Sequence, residues 1–362
     1  MSRYAIVCGG TGGHLGPGIA IAEELMARNG ECLLLISDKV IDGVMLKKYD
    51  QFEYVVLPAK PLAKNIWKIF ETIKSQFVSF YQCITLIKNR KIDCVIGMGG
   101  FTNFPAVMAA FLTGKKIVLH ESNRVIGKSV KLLACLADIV FLPPQVDFRS
   151  KSLNKKVSHA SIPLRREMQK IDKCEARERL GLDPRGSVVT VLGGSQGANA
   201  LNEWAIQNFQ RLNNQNLTVC CVRGIRSDSR EEIIGTSGDG NTIRNLFLPF
   251  CNDMSSLLSA TDLLVCRAGA GTIAEAILFG LPMVLVPYPS AAENHQEVNA
   301  TFAANDSRAI VVRQDDIDLL ANIVIECFQK NLKNFQMTTP PDNEHSAVEI
   351  IVNRIQRMTG NE

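Results

Sequence analysis

The sequence predicts an α/β protein of two Rossmann-like halves, and three observations carry that prediction. Residues 4–8 form a short apolar run that leads into Gly9-Gly10-Thr11-Gly12-Gly13-His14. Apolar residues at helical spacing follow (Ile19, Ala22, Leu25, Met26), up to a stop at Gly30. The same order restarts at residues 188–192, with Gly193-Gly194-Ser195-Gln196-Gly197 and a helix from Ala198. Residues 262–300 read as one further unit. A strand ends at Cys266, a Gly/Ala turn spans 268–271, and a helix from Thr272 stops at Gly280. A buried strand at 283–286 then opens a polar loop with Glu293, Asn294, His295, Gln296 and Asn299. At 362 residues, two domains are the natural expectation.

In chain order, residues 32–36, 94–96, 117–119 and 139–142 supply the remaining strands of the first half. Two of their ends carry Gly97-Met98-Gly99-Gly100-Phe101 and His120-Glu121-Ser122-Asn123. Together with the loop of Gly9 and Gly10, these tips point to a phosphate-bearing ligand on this half, because ligands of open α/β sheets sit beyond the carboxyl ends of the strands. The first loop is neither a dinucleotide fingerprint nor a Walker loop. The third glycine of the fingerprint falls on Leu15, and no Gly-Lys-Ser/Thr closes the loop. His14, at its end, is a candidate base or a helix cap. A Lys/Ser-rich connection at 149–156 leads to Ile162-Pro163-Leu164-Arg165, where the hinge is placed. The expected boundaries are therefore 1–163, 164–340, and a terminal amphipathic helix in 341–362 (Ala347, Ile350, Ile351, Ile355), expected to pack back on the first domain.

In the second half, residues 217–222, 245–248 and 310–311 are further strands, and residues 250–253, with Cys251, form a loop on the groove. The turn holding Ala270 and Gly271 delivers a helix N-terminus, whose free N–H groups and positive dipole end suit a diphosphate. Thr272-Ile273-Ala274-Glu275 also fits a capping box. Glu275 is thus either a helix starter or a groove carboxylate for two ribose hydroxyls.

Composition bounds the function. The eleven cysteines lack a C-x-x-C pair, and Cys8, Cys94, Cys220 and Cys266 lie in apolar strand-like runs, the pattern of small buried hydrophobes in a reducing compartment. The five histidines lack metal spacing, so no metal or other cofactor is expected. No apolar run nears the ~20 residues of a membrane span, and the start leaves no room for a secretory signal, so a cytoplasmic protein is expected. Charge is uneven: residues 1–163 carry 21 Lys/Arg against 12 Asp/Glu, and residues 164–362 carry 19 against 24. A basic first half suits an anionic partner, and without a nucleic-acid motif an anionic lipid surface is favoured over nucleic acid. Residues 60–91 supply a surface for it. Ile66, Phe70, Ile73, Phe77, Phe80, Ile84 and Ile87 form one helical stripe, read as mostly core, with Trp67, Val78 and Tyr81 beside it and seven Lys/Arg against Glu71. Trp67, Phe77, Phe80 and Tyr81 are the aromatics expected at the membrane.

These loops together resemble the signatures of MurG-type transferases: GGTGGH at 9–14, GMGGF at 97–101, HESN at 120–123, GGSQGA at 193–198, CRAGAGTIAE at 266–275 and ENHQEVNA at 293–300. The resemblance implies a glycosyltransferase-B fold, two Rossmann-like domains facing across a cleft. It also implies an inverting transfer of GlcNAc from UDP-GlcNAc to the C4 hydroxyl of lipid I, giving lipid II, at the cytoplasmic face of the inner membrane. Carried over residue by residue, Ser195 and Arg165 would hold the diphosphate, with Thr11, Gly12 and Gly13 closing over the donor. Glu275 would take the ribose hydroxyls, Cys251 would offer backbone to the uracil, and Gln296, Asn299 and Asn123 would grip the sugar. Gly9, Gly10, Gly99, Gly100 and Phe101 would form the acceptor side. His14 is the first candidate base and Glu121 the second. Three places depart from the family's pattern: Ser161-Ile162-Pro163 before Arg165, Asn103-Phe104, and Arg124-Val125. The competing readings are a glycosyltransferase-B enzyme acting on another lipid such as diacylglycerol, a nicotinamide-dependent oxidoreductase, and a non-catalytic membrane scaffold.

Overall fold

The computed structural model describes residues 1–360 except 11, 62–65, 195–196, 226–228, 306–307, 333–334 and 336–345, and also leaves the side chains of 66–68 and 346 aside. Thr11, Ser195 and the side chain of Trp67 therefore lie outside the described residues. The chain divides into two compact units, Met1–Arg166 with Asn343–Glu362, and Glu167–Asp342. The contact boundary falls after Arg166, three residues beyond the expected proline hinge, so Arg165 belongs to the first unit.

The first unit holds a seven-stranded parallel sheet: β1 (Arg3–Val7), β2 (Glu31–Ser37), β3 (Glu53–Leu57), β4 (Cys94–Gly97), β5 (Lys116–His120), β6 (Ile139–Leu142) and β7 (Val157–His159). Their spatial order is β3-β2-β1-β4-β5-β6-β7, which reverses direction between β1 and β4. That reversal is the topological switch point, where the carboxyl ends of two strands open a crevice. Two apolar clusters cover the sheet faces, one around Val7, Leu119 and Val140, the other around Ile6, Ile96 and Phe141. Helix Ser346–Thr359 joins the second cluster through Ile351, Val352 and Ile355 and packs on helix Gly12–Ala27. Its inner face differs by one position from the expected one, since Ile350 is exposed and Val352 is buried.

The second unit repeats the plan with β8 (Ser187–Leu192), β9 (Leu217–Val222), β10 (Glu231–Thr236), β11 (Thr242–Leu248), β12 (Leu263–Cys266), β13 (Met283–Leu285) and β14 (Ala309–Val311). The order is β10-β11-β9-β8-β12-β13-β14, so its switch point lies between β8 and β12. Among the described residues, β10–β11 is the one antiparallel pair. Three strands lack a sequence prediction: β3, β7 and β10. All three lie at or beside sheet edges with half-exposed patterns, which weakens the apolar run on which strand recognition depends.

A buried amide pair fixes the β10–β11 hairpin to the rest. Asn213 Nδ2 donates to Asn245 Oδ1 (2.9 Å), and Asn245 Nδ2 donates to Asn213 Oδ1 (2.8 Å). Asn245 also accepts from the Val219 N–H (2.9 Å) and donates to the Ile233 carbonyl (3.1 Å), so one side chain links β9, β10 and β11. Truncation leaves these partners buried and unpaired, at about 1–3 kcal/mol for a neutral group. Asn245→Ala is therefore predicted to lower unfolding free energy by about 2–3 kcal/mol in urea titration, whereas Asn241→Ala, on the exposed turn, changes it by less than about 0.5 kcal/mol.

Candidate active site

At the first switch point the glycine loops after β1 and β4 interlock. Gly9 lies so close to the end of β2 that a Cβ there would stand 2.2 Å from the Ser37 nitrogen, and Gly10 has φ +119°, backbone that only glycine adopts freely. Thr102 Oγ1 donates to the Gly9 carbonyl (3.1 Å), tying the second loop to the first. His14, in helix Gly12–Ala27, fits against Gly99 and Gly100. A Cβ on Gly99 would meet its Cε1 at 2.8 Å, and one on Gly100 its Cδ2 at 3.3 Å. The Phe101 ring closes over Gly10, with its Cε1 3.1 Å from where a Gly10 Cβ would stand. The structure thus brings Gly9, Gly10, His14, Gly99, Gly100 and Phe101 into one cluster.

Asn103 explains one departure in the second loop. With its amide turned to suit its neighbours, it donates to the Gly99 carbonyl (3.2 Å) and accepts from the Gly99 N–H (2.9 Å). Its fully buried side chain therefore fixes the glycine that walls in His14. The sequence reading missed Asp42 and Lys39. Asp42 accepts from the Gly10 N–H (2.9 Å), and Lys39 Nζ donates to the Gly10 carbonyl (2.6 Å). Neither sits in a recognisable motif, so only the fold reveals them.

Glu121 is buried at the end of β5 and already engaged. Its Oε1 accepts from the N–H (2.9 Å) and the side-chain amide (3.0 Å) of Asn123, and its Oε2 accepts from the Gly127 N–H (2.7 Å). The carboxylate thereby organises the loop that starts helix Lys128–Leu133. His14 Nδ1 is buried with no hydrogen-bond partner. Burial lowers the His14 pKa, while the Glu121 carboxylate pulls it back up. The ring is accordingly biased towards the neutral form, which can accept a proton. Arg165 lies against helix Gly12–Ala27, its Nη1 donating to the Tyr49 hydroxyl (3.2 Å) and its Nε 3.9 Å from where a Gly16 Cβ would stand.

The second unit builds its own rim. Gly197 has φ +78°, and a Cβ there would overlap the Arg223 carbonyl at 2.0 Å, the carbonyl that Asn202 Nδ2 also reaches at 2.8 Å. Helix Ala270–Phe279 starts after Gly269, which has extended backbone and makes no side-chain cap. The capping-box reading is therefore corrected: Thr272 is the third helical residue, and Glu275 lies a turn further in. The N–H groups of Ala270, Gly271 and Thr272 head an uncapped helix at the switch point, a geometry suited to phosphate oxygens. Glu275 is half-buried near the end of β12, close enough for its charge to reinforce the rise that burial imposes on the Cys266 thiol.

Neighbouring residues shape that rim. Arg267, buried, donates from Nη1 to the Val286 (3.0 Å) and Pro287 (3.2 Å) carbonyls and from Nη2 to Gln314 Oε1 (2.5 Å), joining the ends of β12 and β13. Asn299 Nδ2 donates to the Ala268 carbonyl (3.2 Å), and Gln296 Oε1 accepts from the Tyr288 N–H (2.9 Å). Between them Glu293 (φ 51°) and Asn294 (φ 56°) hold left-handed backbone, strained for the glutamate by roughly 1–2 kcal/mol. Cys251 follows β11, its Sγ against the Asp253 carbonyl (3.2 Å). Among the described residues no group of three His, Cys, Asp or Glu side chains is placed to hold a metal ion.

Helix Ile66–Asn89 corrects the stripe. Its inner face carries Thr72, Ser75, Ser79, Cys83 and Ile87, and the first turns dock through polar bonds such as Lys60 N–H to Ser75 Oγ (3.1 Å) and Gln76 Nε2 to the Lys60 carbonyl (2.9 Å). Phe70 and Ile73, on a stripe read as mostly core, are 68% and 46% exposed; Phe77 and Tyr81, expected at a membrane, are 61% and 66% exposed, with Val78 beside them at 49%. Phe80, expected at a membrane, instead packs on the core, edge-on to Tyr81. No described helix is long and apolar enough to cross a membrane.

These two units and their glycine-tipped rims define a glycosyltransferase of the B architecture. Residues 4–142 match the glycosyltransferase family 28 N-terminal domain and residues 188–353 the family's C-terminal domain, and the chain belongs to that family. It is 35% identical over 361 residues to the UDP-N-acetylglucosamine–N-acetylmuramyl-(pentapeptide) pyrophosphoryl-undecaprenol N-acetylglucosamine transferase of Opitutus terrae, covering 99% of this chain and 96% of that protein. The enzyme of the same name from Prochlorococcus marinus is 35% identical over 337 residues, 92% of this chain and 90% of that one. In fold, the chain is similar to the crystal structure of Acinetobacter baumannii MurG, with a TM-score of 0.68, 23% identity, and coverage of 99% and 100%.

His120 offers a direct check on the buried cluster. Burial, with His14 nearby, pushes its pKa down to about 4 from 6.5, against a smaller upward pull from the Ser161 backbone. Between these values the unfolded chain binds a proton that the folded ring refuses, so stability falls as pH drops from about 6.5 towards 4. His120→Gln is predicted to flatten this part of the melting-temperature profile; an unchanged acid-side slope would contradict it.

Proposed function

We propose that this chain is an inverting hexosyltransferase that moves GlcNAc from UDP-GlcNAc to the C4 hydroxyl of lipid I, forming lipid II for peptidoglycan. The observation that carries this reading is agreement over 99% of the chain with a relative named for that reaction. The donor is assigned to the second unit. There the uncapped helix at Ala270, Gly271 and Thr272 receives diphosphate oxygens, together with Ser195. Glu275 takes the ribose hydroxyls, backbone at Cys251 meets the uracil, and Gln296 and Asn299 meet the sugar. The acceptor is assigned to the first unit, along Gly9, Gly10, Gly99, Gly100 and Phe101; Thr11, Gly12, Gly13 and Asn123 are assigned to the donor as well. Arg165 supplies positive charge for the departing UDP.

Inversion needs one displacement, so one base must take the acceptor proton as the glycosidic bond to UDP breaks. His14 is preferred over Glu121 because its Nδ1 has no hydrogen-bond partner, whereas both Glu121 oxygens already accept bonds. The Phe70, Ile73, Phe77 and Tyr81 face, near exposed Lys74, rests on the anionic cytoplasmic leaflet of the inner membrane and makes the enzyme peripheral.

Three measurements test these assignments. Millimolar UDP-GlcNAc is expected to raise the melting temperature of the wild-type protein and to do so much less in Glu275→Ala; no shift in the wild type would remove the donor assignment. A positioned base contributes roughly 10²–10⁴-fold, so His14→Ala is expected to lose at least that lower bound in turnover, and a loss under about tenfold would exclude the role. For the membrane face, Phe70→Ser/Phe77→Ser is expected to weaken binding to anionic liposomes, with binding falling as salt rises. Binding indifferent to both lipid charge and salt would reject that surface.

A further inference from the structure

The loop after β1 is gripped from behind by a charge that folding alone does not require. Asp42, in helix Val40–Leu46, is fully buried. A single oxygen, Oδ2, accepts all three of its hydrogen bonds, from the Gly10 N–H (2.9 Å), the Ser37 N–H (3.1 Å) and the Ser37 hydroxyl (2.6 Å). The other, Oδ1, is buried with no partner. One accepting oxygen suffices for these three bonds, so the full carboxylate carries the desolvation cost of a buried charge that the bonds themselves do not need. Lys39 completes the grip on Gly10 through the carbonyl, with its Nζ 5.3 Å from the Phe101 ring centroid. Four residues beyond Gly10, in the helix this loop starts, stands His14.

We propose that Asp42 is a positioning residue for His14: through Gly10 it fixes the entry to the helix that carries the imidazole, and its negative charge favours the imidazolium formed when the acceptor proton is taken. The charged and titratable groups that face His14 sort by sign. Burial opposes the protonated ring most; Glu121, the Met98 backbone and then Asp42 favour it, Lys39 opposes it, and His120 is close enough to be disfavoured in its own charged form by His14. Lys39 offsets part of the Asp42 field and holds the Gly10 carbonyl, so the pair sets geometry and charge together.

This inference rests on His14 being the base, and the test separates the two. The pH dependence of kcat/KM reports groups on the free enzyme, measured as UDP release with UDP-GlcNAc and lipid I. Asp42→Asn keeps one oxygen for the three bonds made at Oδ2 and removes the charge, with the amide nitrogen in place of the unpartnered Oδ1. Its acid limb is expected at lower pH than in the wild type, with KM within about twofold. Asp42→Ala also removes the bonds and is expected to lose on the order of 10²-fold in kcat, the effect of a misplaced catalytic group. An acid limb at the wild-type pH in Asp42→Asn overturns the proposal. His14→Gln is the control: if it keeps the wild-type acid limb, that limb belongs to another group and the base assignment fails, independently of Asp42.

Discussion

The structure depends on backbone coming closer to backbone than any side chain permits. At the carboxyl end of β1, Gly9 sits where a methyl group would overlap the Ser37 nitrogen, and in the second unit Gly197 sits where one would overlap the Arg223 carbonyl. Each contact lets a loop turn sharply off a central strand at the point where strand order reverses, leaving N–H groups and a helix start at the rim. The sheets supply rigidity and the glycines supply approach. The proposed chemistry can then rest on few side chains, His14 in the first unit and Glu275 in the second.

Charge is used sparingly around these loops, and mostly from behind. Asp42, Lys39, Thr102 and Asn103 hold Gly9, Gly10 and Gly99 by hydrogen bonds, and Glu121 fixes the loop to Gly127. On the second unit Arg267 and Asn299 do the same for the ends of β12 and β13 and the turn at Ala268. Preorganised loops of this kind present donors without reorganising when charge develops, which is where electrostatic catalysis gains most.

Much of this was legible in the sequence because glycine loops and buried strands leave strong local marks. The central strands of both sheets and the glycine loops after β1, β4, β8 and β12 follow from apolar runs and their terminators. What escaped does so for physical reasons. β3, β7 and β10 lie at sheet edges and are half-exposed, so they lack a continuous apolar run. The start of helix Ala270–Phe279 was misplaced because Thr272 and Glu275 satisfy a capping pattern locally, while the strand delivers the chain into the helix at Gly269. Helix Ile66–Asn89 inverted the usual inference: a stripe of helical period marks one face, and periodicity alone does not say whether that face meets the core or something outside the chain. Asp42 and Lys39 act on Gly10 across about thirty residues of sequence, a relation no local pattern records.

The proposed reaction moves a sugar to a lipid-borne alcohol. The most direct measurement is the fate of labelled GlcNAc when the purified chain is given UDP-[14C]GlcNAc with lipid I, with diacylglycerol, or with no acceptor. The account predicts label in a β-1,4-linked lipid II product from lipid I alone, released in step with UDP. Label on diacylglycerol, or free GlcNAc with no lipid product, would contradict it.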